Sequence, residues 1–287
     1  MKNIKYFFQF IFLILLFGVF KILGLRLSLL ISDFIFTIIG PMFRSKKTSE
    51  INLSYALKDI NKSHSDKIIK KMWGNYGKIF AEYMFIKQFR TNPNYSRKII
   101  IENNEIIEEI KKNLEPVIFV SGHFNNFELL AMQIEKSGVE LAAIYRPLNN
   151  IFLNPMMESI RKKYICKHQI RKGISGMKSL LKSFKNKTSI ALMIDQRVSE
   201  GISCEFFGNK ASTTTIPAQF VKKFNAKIVP VYIERIKNNE FKIKYHKPLV
   251  FESKSSTEDI TLKLNQELEK MILNKPEQWI WTHNRWK

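Results

Sequence analysis

The sequence is poor in cysteine and has none of the metal-binding patterns that organise many small domains. Only Cys166 and Cys204 occur among its 287 residues, and their spacing matches no disulfide framework or zinc motif. The five histidines are scattered, and no His-Glu-x-x-His occurs. We therefore expect reduced thiols, no structural disulfide and no metal site.

Glycine-rich and nucleophile motifs are absent as well. The chain has neither Gly-x-Gly-x-x-Gly nor a P-loop, so we expect no nucleotide and no other cofactor. It has no Gly-x-Ser-x-Gly, which disfavours a covalent serine hydrolase; Ser121, two residues before a histidine, lies in the wrong context for one. No internal repeat, low-complexity segment or Gly/Ser linker divides the chain.

Acidic residues are scarce relative to basic ones. Lys and Arg number 47 against 25 Asp and Glu, which gives a formal net charge of +22. Such a field attracts anionic partners, whether nucleic acid, anionic lipid headgroups or an acidic protein. The chain is nevertheless 45% hydrophobic with 23 Phe, unlike a basic disordered tail. Its length suits one large α/β domain, alone or with an appendage.

The N-terminal segment is almost continuously apolar. Its first run, Tyr6–Phe20, contains only Gln9 as a polar interruption and falls short of the roughly 20 residues that span a bilayer. The flanking Lys5 and Lys21 can extend it by snorkelling. The second run, Leu25–Ile39, carries polar residues, which predicts that it is partly buried against protein or lies at the interface. No small-x-small cleavage site follows, so residues 1–43 are predicted to be an uncleaved membrane anchor rather than a signal peptide.

Strands and helices alternate from Ile99 onward, the pattern of a mainly parallel sheet flanked by helices. The apolar run at Val117–Val120 ends in Ser-Gly, and His123 follows directly. A helix is predicted next, capped by Asn125 or Asn126, with Glu128 about one turn in. His123 then acts as a general base that Glu128 orients. The plain alternative is a strand-end histidine bonded to backbone and a glutamate on a solvated helix face.

Two further apolar strands also end in ionisable residues. The run at Leu141–Tyr145 is followed by Arg146, and the run at Ser189–Ile194 is followed by Asp195. Parallel strands bring these residues to one edge of the sheet together with His123, which favours a site over three unrelated surface residues. Arg146 and Arg161 are candidates to hold phosphate or stabilise an oxyanion, although Arg161 also fits an ordinary basic helix face.

Aromatic residues recur at two further places. A helix beginning near Ser65 is predicted to carry a stripe that is either core or the wall of an acyl groove; its members include Trp73, Tyr76, Phe80 and Tyr83. The C-terminal segment contains Trp279, Trp281 and Trp286 among basic residues. These rings either stack on nucleic-acid bases or lie at headgroup depth in a membrane, and the apolar N-terminus favours the membrane.

Taken together, these motifs resemble the bacterial lipid A biosynthesis acyltransferases, the late lauroyl and myristoyl transferases of lipopolysaccharide assembly. The resemblance covers nearly the whole chain and keeps the motif order. It rests on the apolar N-terminus and on the segments Gly122–Glu128, Tyr145–Asn150, Asp195-Gln196, Phe206–Gly208 and Gln278–Trp286. Many family members have Asp where this chain has Glu128, which keeps the carboxylate.

The resemblance implies a glycerolipid acyltransferase-like α/β fold, with an anchor at 1–43 and an acyltransferase domain at 44–287. It implies transfer of an acyl group from acyl carrier protein (or coenzyme A) to a hydroxyacyl chain of a lipid A precursor. His123 and Glu128 are then catalytic, while Arg146, Arg161, Asp195 and Asn126 are assigned to substrate binding. No metal, cofactor or nucleic acid is implied. The basic surface suits an acidic carrier protein and an anionic membrane, at the cytoplasmic side of the bacterial inner membrane.

Two alternatives remain open at this point. The acceptor is another membrane glycolipid or a lysophospholipid, since related acyltransferases use such lipids. Alternatively, the chain is a membrane-tethered nucleic-acid-binding protein, which uses the basic charge and the tail aromatics but has no need of His123 and Glu128.

Overall fold

A seven-stranded sheet forms the centre of this computed structural model, which describes residues 2–43 and 46–287. The sheet strands are β1 Ile99–Glu102, β2 Ile118–Ser121, β3 Leu141–Tyr145, β4 His168–Arg171, β5 Ser189–Met193, β8 Ile228–Lys237 and β9 Glu240–Tyr245. Their spatial order is β1-β9-β8-β2-β5-β3-β4, and every pair is parallel except β8–β9. Two more strands, β6 Ile202–Phe206 and β7 Asn209–Thr213, form a separate antiparallel hairpin. The predicted mainly parallel α/β fold is therefore confirmed.

Helices cover the sheet and precede it in the chain. The first group is α1 Lys2–Phe43, α2 Lys46–Ala56, α3 Lys62–Glu82, α4 Ile86–Thr91 and α5 Pro93–Ser96. Those interleaved with the strands are α6 Glu105–Asn113, α7 Glu128–Lys136, α8 Leu153–Tyr164, α9 Ile174–Lys185, α10 Ile216–Phe224 and α11 Thr257–Asn274. Single 3-10 turns lie at Tyr83–Phe85 and Pro276–Gln278.

Helix α1 consists of two halves that meet at Gly24. Gly24 has φ 74° and ψ 168°, a non-helical conformation that glycine adopts without steric cost. The second half packs closely on α3: a Cβ added at Gly77 would lie 2.1 Å from the backbone oxygen of Ser32. Leu25 and Leu29 are buried in this contact. The prediction that the second apolar run is partly buried against protein is confirmed.

The first half of α1 is mostly exposed but touches the body along one side. The Asn150 side chain donates a hydrogen bond of 2.9 Å to the Tyr6 carbonyl, and the Phe7 and Phe152 rings lie 5.6 Å apart. By length and composition, Lys2–Met42 is a candidate membrane span, with a mean hydropathy of 2.4 in its most apolar window. The predicted domain boundary after residue 43 falls beside residues 44 and 45, which lie outside the described ranges.

The aromatic stripe of α3 holds α1 in place. The Phe80 ring lies 5.1 Å from Phe17, 6.1 Å from Phe20 and 5.5 Å from Phe36. Phe80 is therefore core packing at the α1–α3 contact, as is Trp73, which is buried against Gly40 of α1, and the acyl-groove alternative is wrong for these two residues. Helix α3 also begins earlier than expected, because the Asn61 side chain rather than Ser65 caps it by accepting from the His64 backbone N–H at 2.9 Å.

The C-terminal tail is part of the core, which corrects its expected location in the membrane interface. Trp279 and Trp281 are almost wholly buried, and Trp286 stacks on Phe206 at 5.4 Å. Arg285 is also wholly buried; it donates to the Ser212 carbonyl and the Thr213 hydroxyl, each at 2.7 Å. A tail fixed by these contacts presents neither Trp279 nor Trp281 to a bilayer. Cys166 and Cys204 are both buried, and neither forms a disulfide.

Candidate active site

Three central strands bring their carboxyl ends together at one edge of the sheet. Strand β5 lies between β2 and β3, and both pairs are parallel. His123 and Asp195 each follow their strand by two residues, and Arg146 follows β3 directly. The alternation of strands and helices predicted this gathering, because parallel neighbours end on the same side.

His123 binds Asp195 through both its ring and its backbone. The ring Nδ1 lies 2.7 Å from Asp195 Oδ1, and the His123 backbone N–H donates to Oδ2 at 2.7 Å. A carboxylate only accepts, so the Nδ1 proton points at Asp195, and in the neutral ring Nε2 carries the free lone pair. Asp195 is fully buried, whereas the His123 side chain keeps 22% of its surface exposed.

The expectation that Glu128 orients the His123 ring is not met by this geometry. The carboxylate on the ring is that of Asp195, which the sequence had assigned to substrate binding. Burial by itself lowers the pKa of His123, but the negative charge and the hydrogen bond of Asp195 outweigh burial and raise it above the usual value. Burial likewise opposes ionisation of Asp195, yet His123 holds its pKa below the usual value.

Glu128 binds Arg161 instead. Arg161 donates from Nε at 2.9 Å and from Nη2 at 2.6 Å to Glu128 Oε1, and the Tyr83 hydroxyl lies 3.4 Å from the same oxygen. Burial lowers the pKa of Arg161, but the Glu128 charge raises it overall, so the guanidinium stays charged. Glu128 is the first residue of α7, where the predicted asparagine cap is replaced by Phe127 without a side-chain cap bond. The negative carboxylate at this N-terminus interacts favourably with the helix dipole.

Asn126 lies beneath the site rather than on it. Its side chain is buried and donates to Glu82 at 3.0 Å, away from the residues that line the pocket. Glu82 in turn binds Arg235 through both guanidinium Nη atoms, at 2.5 and 3.0 Å. The assignment of Asn126 to substrate binding is therefore not supported by its position, because a buried amide bonded to protein has no path to a ligand.

The neighbouring Asn125 connects this buried pair to the His123 loop. Its φ is +42°, a left-handed conformation that Asn tolerates. Its side chain accepts from Arg235 at 3.0 Å and donates to Asn75 at 2.8 Å and Gln278 at 3.0 Å. The loop after His123 is thus fixed by three separate parts of the chain. The sequence did not predict this network, since Glu82 and Arg235 carry no local pattern and Gln278 belongs to a motif whose contacts with Asn125 and Arg235 join distant parts of the chain.

A pocket of about 330 Å³ begins at His123 and continues between the sheet and α7. Its mouth carries polar residues, whereas its interior is lined by Leu130, Ala131, Ile134 and neighbouring apolar side chains. Among the lining residues of β2, β5 and β3, Phe119, Ala191 and Ala143 lie furthest from the carboxyl ends of their strands, side by side in register. The two alanines leave room between sheet and helix, which makes the interior suitable for a hydrocarbon chain. Phe127 also lines this pocket, whereas Phe124 is buried in the core against Tyr232.

Cations surround the mouth of the pocket. Arg146 is exposed, and it lines the pocket together with Lys172 and Arg161. Neither Arg146 nor Lys172 makes an ion pair with a side chain of residues 2–43 or 46–287. Arg146 therefore lies at the pocket, and its role in holding phosphate or an oxyanion stays a prediction.

Two further residues contact the His123–Asp195 pair. The Trp279 indole N–H donates to Asp195 Oδ2 at 2.9 Å, and Gln196 Nε2 lies 3.5 Å from His123 Nε2. The sequence predicts Trp279 to lie at headgroup depth in a membrane, and it indicates Gln196 only as part of the Asp195-Gln196 motif. The adjacency of Gln196 to Asp195 was the one available signal, because Trp279 reaches the site from 84 residues away.

Comparison with known proteins agrees with this architecture and these motifs. The family model described as bacterial lipid A biosynthesis acyltransferase matches residues 1–287. The chain is 22% identical over 240 residues to a lipid A biosynthesis myristoyltransferase of Escherichia coli (strain K12), which covers 83% of this chain and 73% of that protein. It is also 22% identical over 242 residues to lipid A biosynthesis acyltransferase 2 of Shigella flexneri, covering 83% and 76% respectively.

Proposed function

Because this chain belongs to the bacterial lipid A biosynthesis acyltransferase family, we propose that it moves a fatty acyl group from acyl carrier protein to a lipid A precursor. The acceptor group is the hydroxyl of an acyl chain that the precursor already carries. The observation that supports this most strongly is the His123–Asp195 pair at the mouth of an apolar pocket. The pocket holds the acyl chain of the donor, so that the thioester carbonyl of the donor lies beside His123.

In this mechanism His123 is the general base. Its Nε2 accepts the proton of the acceptor hydroxyl as the oxygen attacks the thioester carbonyl carbon. Asp195 holds the ring in the required tautomer and stabilises the imidazolium. The tetrahedral intermediate then expels the thiolate of the donor, and the protonated His123 gives its proton to that thiolate. An ester forms, a thioester breaks, and neither a metal nor a covalent acyl-enzyme is required.

The positive side chains at the mouth have two roles in this proposal. Arg161, kept charged by Glu128, stabilises the negative oxygen of the intermediate or the phosphorylated headgroup, and Arg146 with Lys172 binds phosphate. The net charge of +22 also attracts an acidic carrier protein as donor. Coenzyme A thioesters are the alternative donors, and a direct comparison of kcat/KM for the two thioesters decides between them.

The decisive experiment supplies the purified full chain with an acyl carrier protein thioester and a lipid A precursor. Mass spectrometry should show the precursor gaining one acyl group. His123→Ala should reduce this rate by at least about 10²-fold, the smaller contribution typical of a positioned base. Transfer to a lysophospholipid in preference to the precursor would contradict the proposed acceptor, and near-normal turnover by His123→Ala would contradict the mechanism.

The pocket interior should set the preferred donor length. Ala143 is the lining residue of β3 furthest from the strand's carboxyl end, so Ala143→Leu should shorten the space available to the donor chain. Each buried methylene contributes about 0.8 kcal/mol, so excluding two carbons should reduce use of the original donor about ten-fold. Competition between donors of different length measures this, and the shorter donor is the internal control. An equal loss for every donor would show that length is selected elsewhere.

We further propose that the protein acts at the cytoplasmic side of the bacterial inner membrane. The exposed apolar side of α1 and the basic surface support attachment to an anionic bilayer. Both native cysteines are buried, so Lys254→Cys would supply one exposed thiol on the folded body. A membrane-impermeant maleimide should label it in inverted inner-membrane vesicles but not in intact spheroplasts; the opposite pattern would contradict the orientation.

A further inference from the structure

A second cavity, of about 500 Å³, lies between the first half of α1, α4 and α8. Its walls are largely apolar and include Phe17, Gly18, Met156 and Ile160. Two lysines also line it, Lys21 on α1 and Lys87 on α4, and both side chains are exposed. Lys21 lies about one helical turn beyond Gly18, so its charge stands next to the apolar walls. An amphiphile with an anionic head fits this combination.

The second cavity lies next to the active-site pocket but is separate from it. Tyr83 lines the second cavity, and its hydroxyl lies 3.4 Å from Glu128, which lines the first pocket. On α8, Ile160 lines the second cavity while the adjacent Arg161 lines the first. The Tyr83–Glu128–Arg161 cluster therefore separates two apolar spaces and faces both of them.

The position of the cavity beside α1 indicates where its occupant comes from. Apolar residues on the outer side of the same helix are exposed, among them Phe12, Leu15 and Val19. A lipid chain in the bilayer around α1 can move sideways into the cavity without crossing water. The donor chain already has a place in the first pocket, so the second space is free for the other substrate.

We propose that this cavity holds one acyl chain of the phosphorylated acceptor lipid while another of its chains presents a hydroxyl to His123. This inference rests on the proposed function, because it assigns that acceptor to the cavity. Lys21 and Lys87 bind the phosphate, and the Tyr83–Glu128–Arg161 cluster keeps donor and acceptor chains apart. The acceptor is thereby recognised by its hydrocarbon as well as by its headgroup.

The chain offers a matched pair of variants to test this. A side chain at Gly18 would enter the cavity, where a Cβ meets no atom within 4 Å, whereas Val19 is 48% exposed and does not line the cavity. Gly18→Leu should raise the KM for the lipid acceptor about ten-fold or more, since it excludes at least two methylenes of the chain. It should leave the KM for the donor and the donor-length preference unchanged. Val19→Leu is the control and should leave all three quantities unchanged; equal acceptor KM values for both variants would overturn the proposal.

A binding test gives a readout that does not depend on turnover. The probe is phosphatidic acid with a diazirine in one acyl chain, in phosphatidylcholine vesicles that contain the full-length protein. Photolysis should label the α8 segment around Met156 and Ile160, and Gly18→Leu but not Val19→Leu should abolish this labelling. A phosphatidylcholine probe should label the segment less, and the double variant Lys21→Glu, Lys87→Glu should remove the difference between the probes.

The outcomes of these tests distinguish lipid binding in the second cavity from acyl transfer at His123. Labelling confined to the exposed side of α1 would overturn the proposed acyl-chain site in the second cavity, even if the protein acylates the precursor. Labelling of α8 by a protein that acylates no lipid A precursor refutes the proposed function and the acceptor assignment together, while the loss of labelling in Gly18→Leu still identifies the cavity as a lipid site.

Discussion

Three hydrogen bonds explain how the buried Asp195 stays ionised beside His123. The carboxylate accepts from the His123 ring, the His123 backbone and the Trp279 indole, at 2.7, 2.7 and 2.9 Å. A buried charge with this many donors avoids most of the desolvation cost that an unpaired carboxylate meets. The same bonds fix the position of the ring relative to the pocket mouth, so Asp195 is a positioning residue for the proposed base.

Asp195→Asn should change the pH profile as well as the rate. The general base must be neutral, so kcat/KM should fall as the pH drops through the pKa of His123, which Asp195 raises above 6.5. Without the carboxylate, burial dominates and lowers that pKa, so the acid limb should move to lower pH. The plateau should fall by about 10²–10⁴-fold because the tautomer is no longer held.

Glu128→Gln is the matched comparison for this variant. It removes a carboxylate whose negative charge also raises the pKa of His123, but less strongly than Asp195 does, because Asp195 is bonded directly to the ring. The acid limb should therefore shift less than in Asp195→Asn, while activity falls because Arg161 loses its partner. A larger shift in Glu128→Gln would show that Glu128, and not Asp195, controls the ring in solution.

At the scale of elements, the contact between α1 and α3 depends on small residues. Gly74 and Gly77 let the backbones approach: a Cβ at Gly74 would lie 2.0 Å from Asp33 Oδ1, and one at Gly77 would lie 2.1 Å from the Ser32 carbonyl oxygen. Phe80, one turn further along α3, then fits between rings from both halves of α1. The same contact supports α1 as a wall of the second cavity.

Gly77→Ala should destabilise the protein although alanine is the better helix former. The added methyl meets backbone, which cannot rotate away, so the helices must separate at a cost of about 1–3 kcal/mol. Gly18→Ala is the control on the opposing helix, where a Cβ meets no atom within 4 Å and the change should be neutral or stabilising by up to about 1 kcal/mol. Thermal unfolding in detergent measures both, and equal midpoints would contradict the close packing.

At the scale of the whole molecule, the two halves of α1 have different relations to the body. The second half packs one face on the body, with Leu25, Ser28, Leu29 and Ser32 buried, while its other face stays exposed and apolar at Leu30, Phe34 and Ile38. In the first half Phe17 and Phe20 are buried, while most of the preceding residues are exposed. A deletion of residues 1–43 therefore removes core residues together with the predicted anchor.

Two truncations should separate anchoring from folding. Removal of residues 1–16 keeps Phe17, Phe20 and the α3 contact, so the protein should stay folded. It should bind anionic vesicles through its basic surface and the exposed apolar face of the second half, more tightly at low salt than at high salt. Removal of residues 1–43 exposes the apolar stripe of α3 and should give aggregated protein. Vesicle flotation and thermal unfolding measure these outcomes; equal binding at low and high salt after removal of 1–16 would mean that the basic surface does not contribute to attachment.

Local patterns in the sequence were sufficient for the three central strands and for the edge of the sheet where the site lies. Apolar runs that end in His123, Arg146 and Asp195 predicted parallel strands with those residues at one edge. The polar residues of the run Leu25–Ile39 predicted its partial burial. These features follow from side-chain periodicity within a few residues, so no knowledge of distant contacts is needed.

Only the tertiary structure decided which carboxylate meets which cation. Glu128 is five residues from His123 and looked like its partner, but it starts α7 and binds Arg161, while Asp195 reaches the ring from 72 residues away. Likewise Trp279 looked interfacial and is instead a buried donor to Asp195. Such pairings depend on which strands lie side by side and where each helix begins, and chain neighbours alone do not specify either.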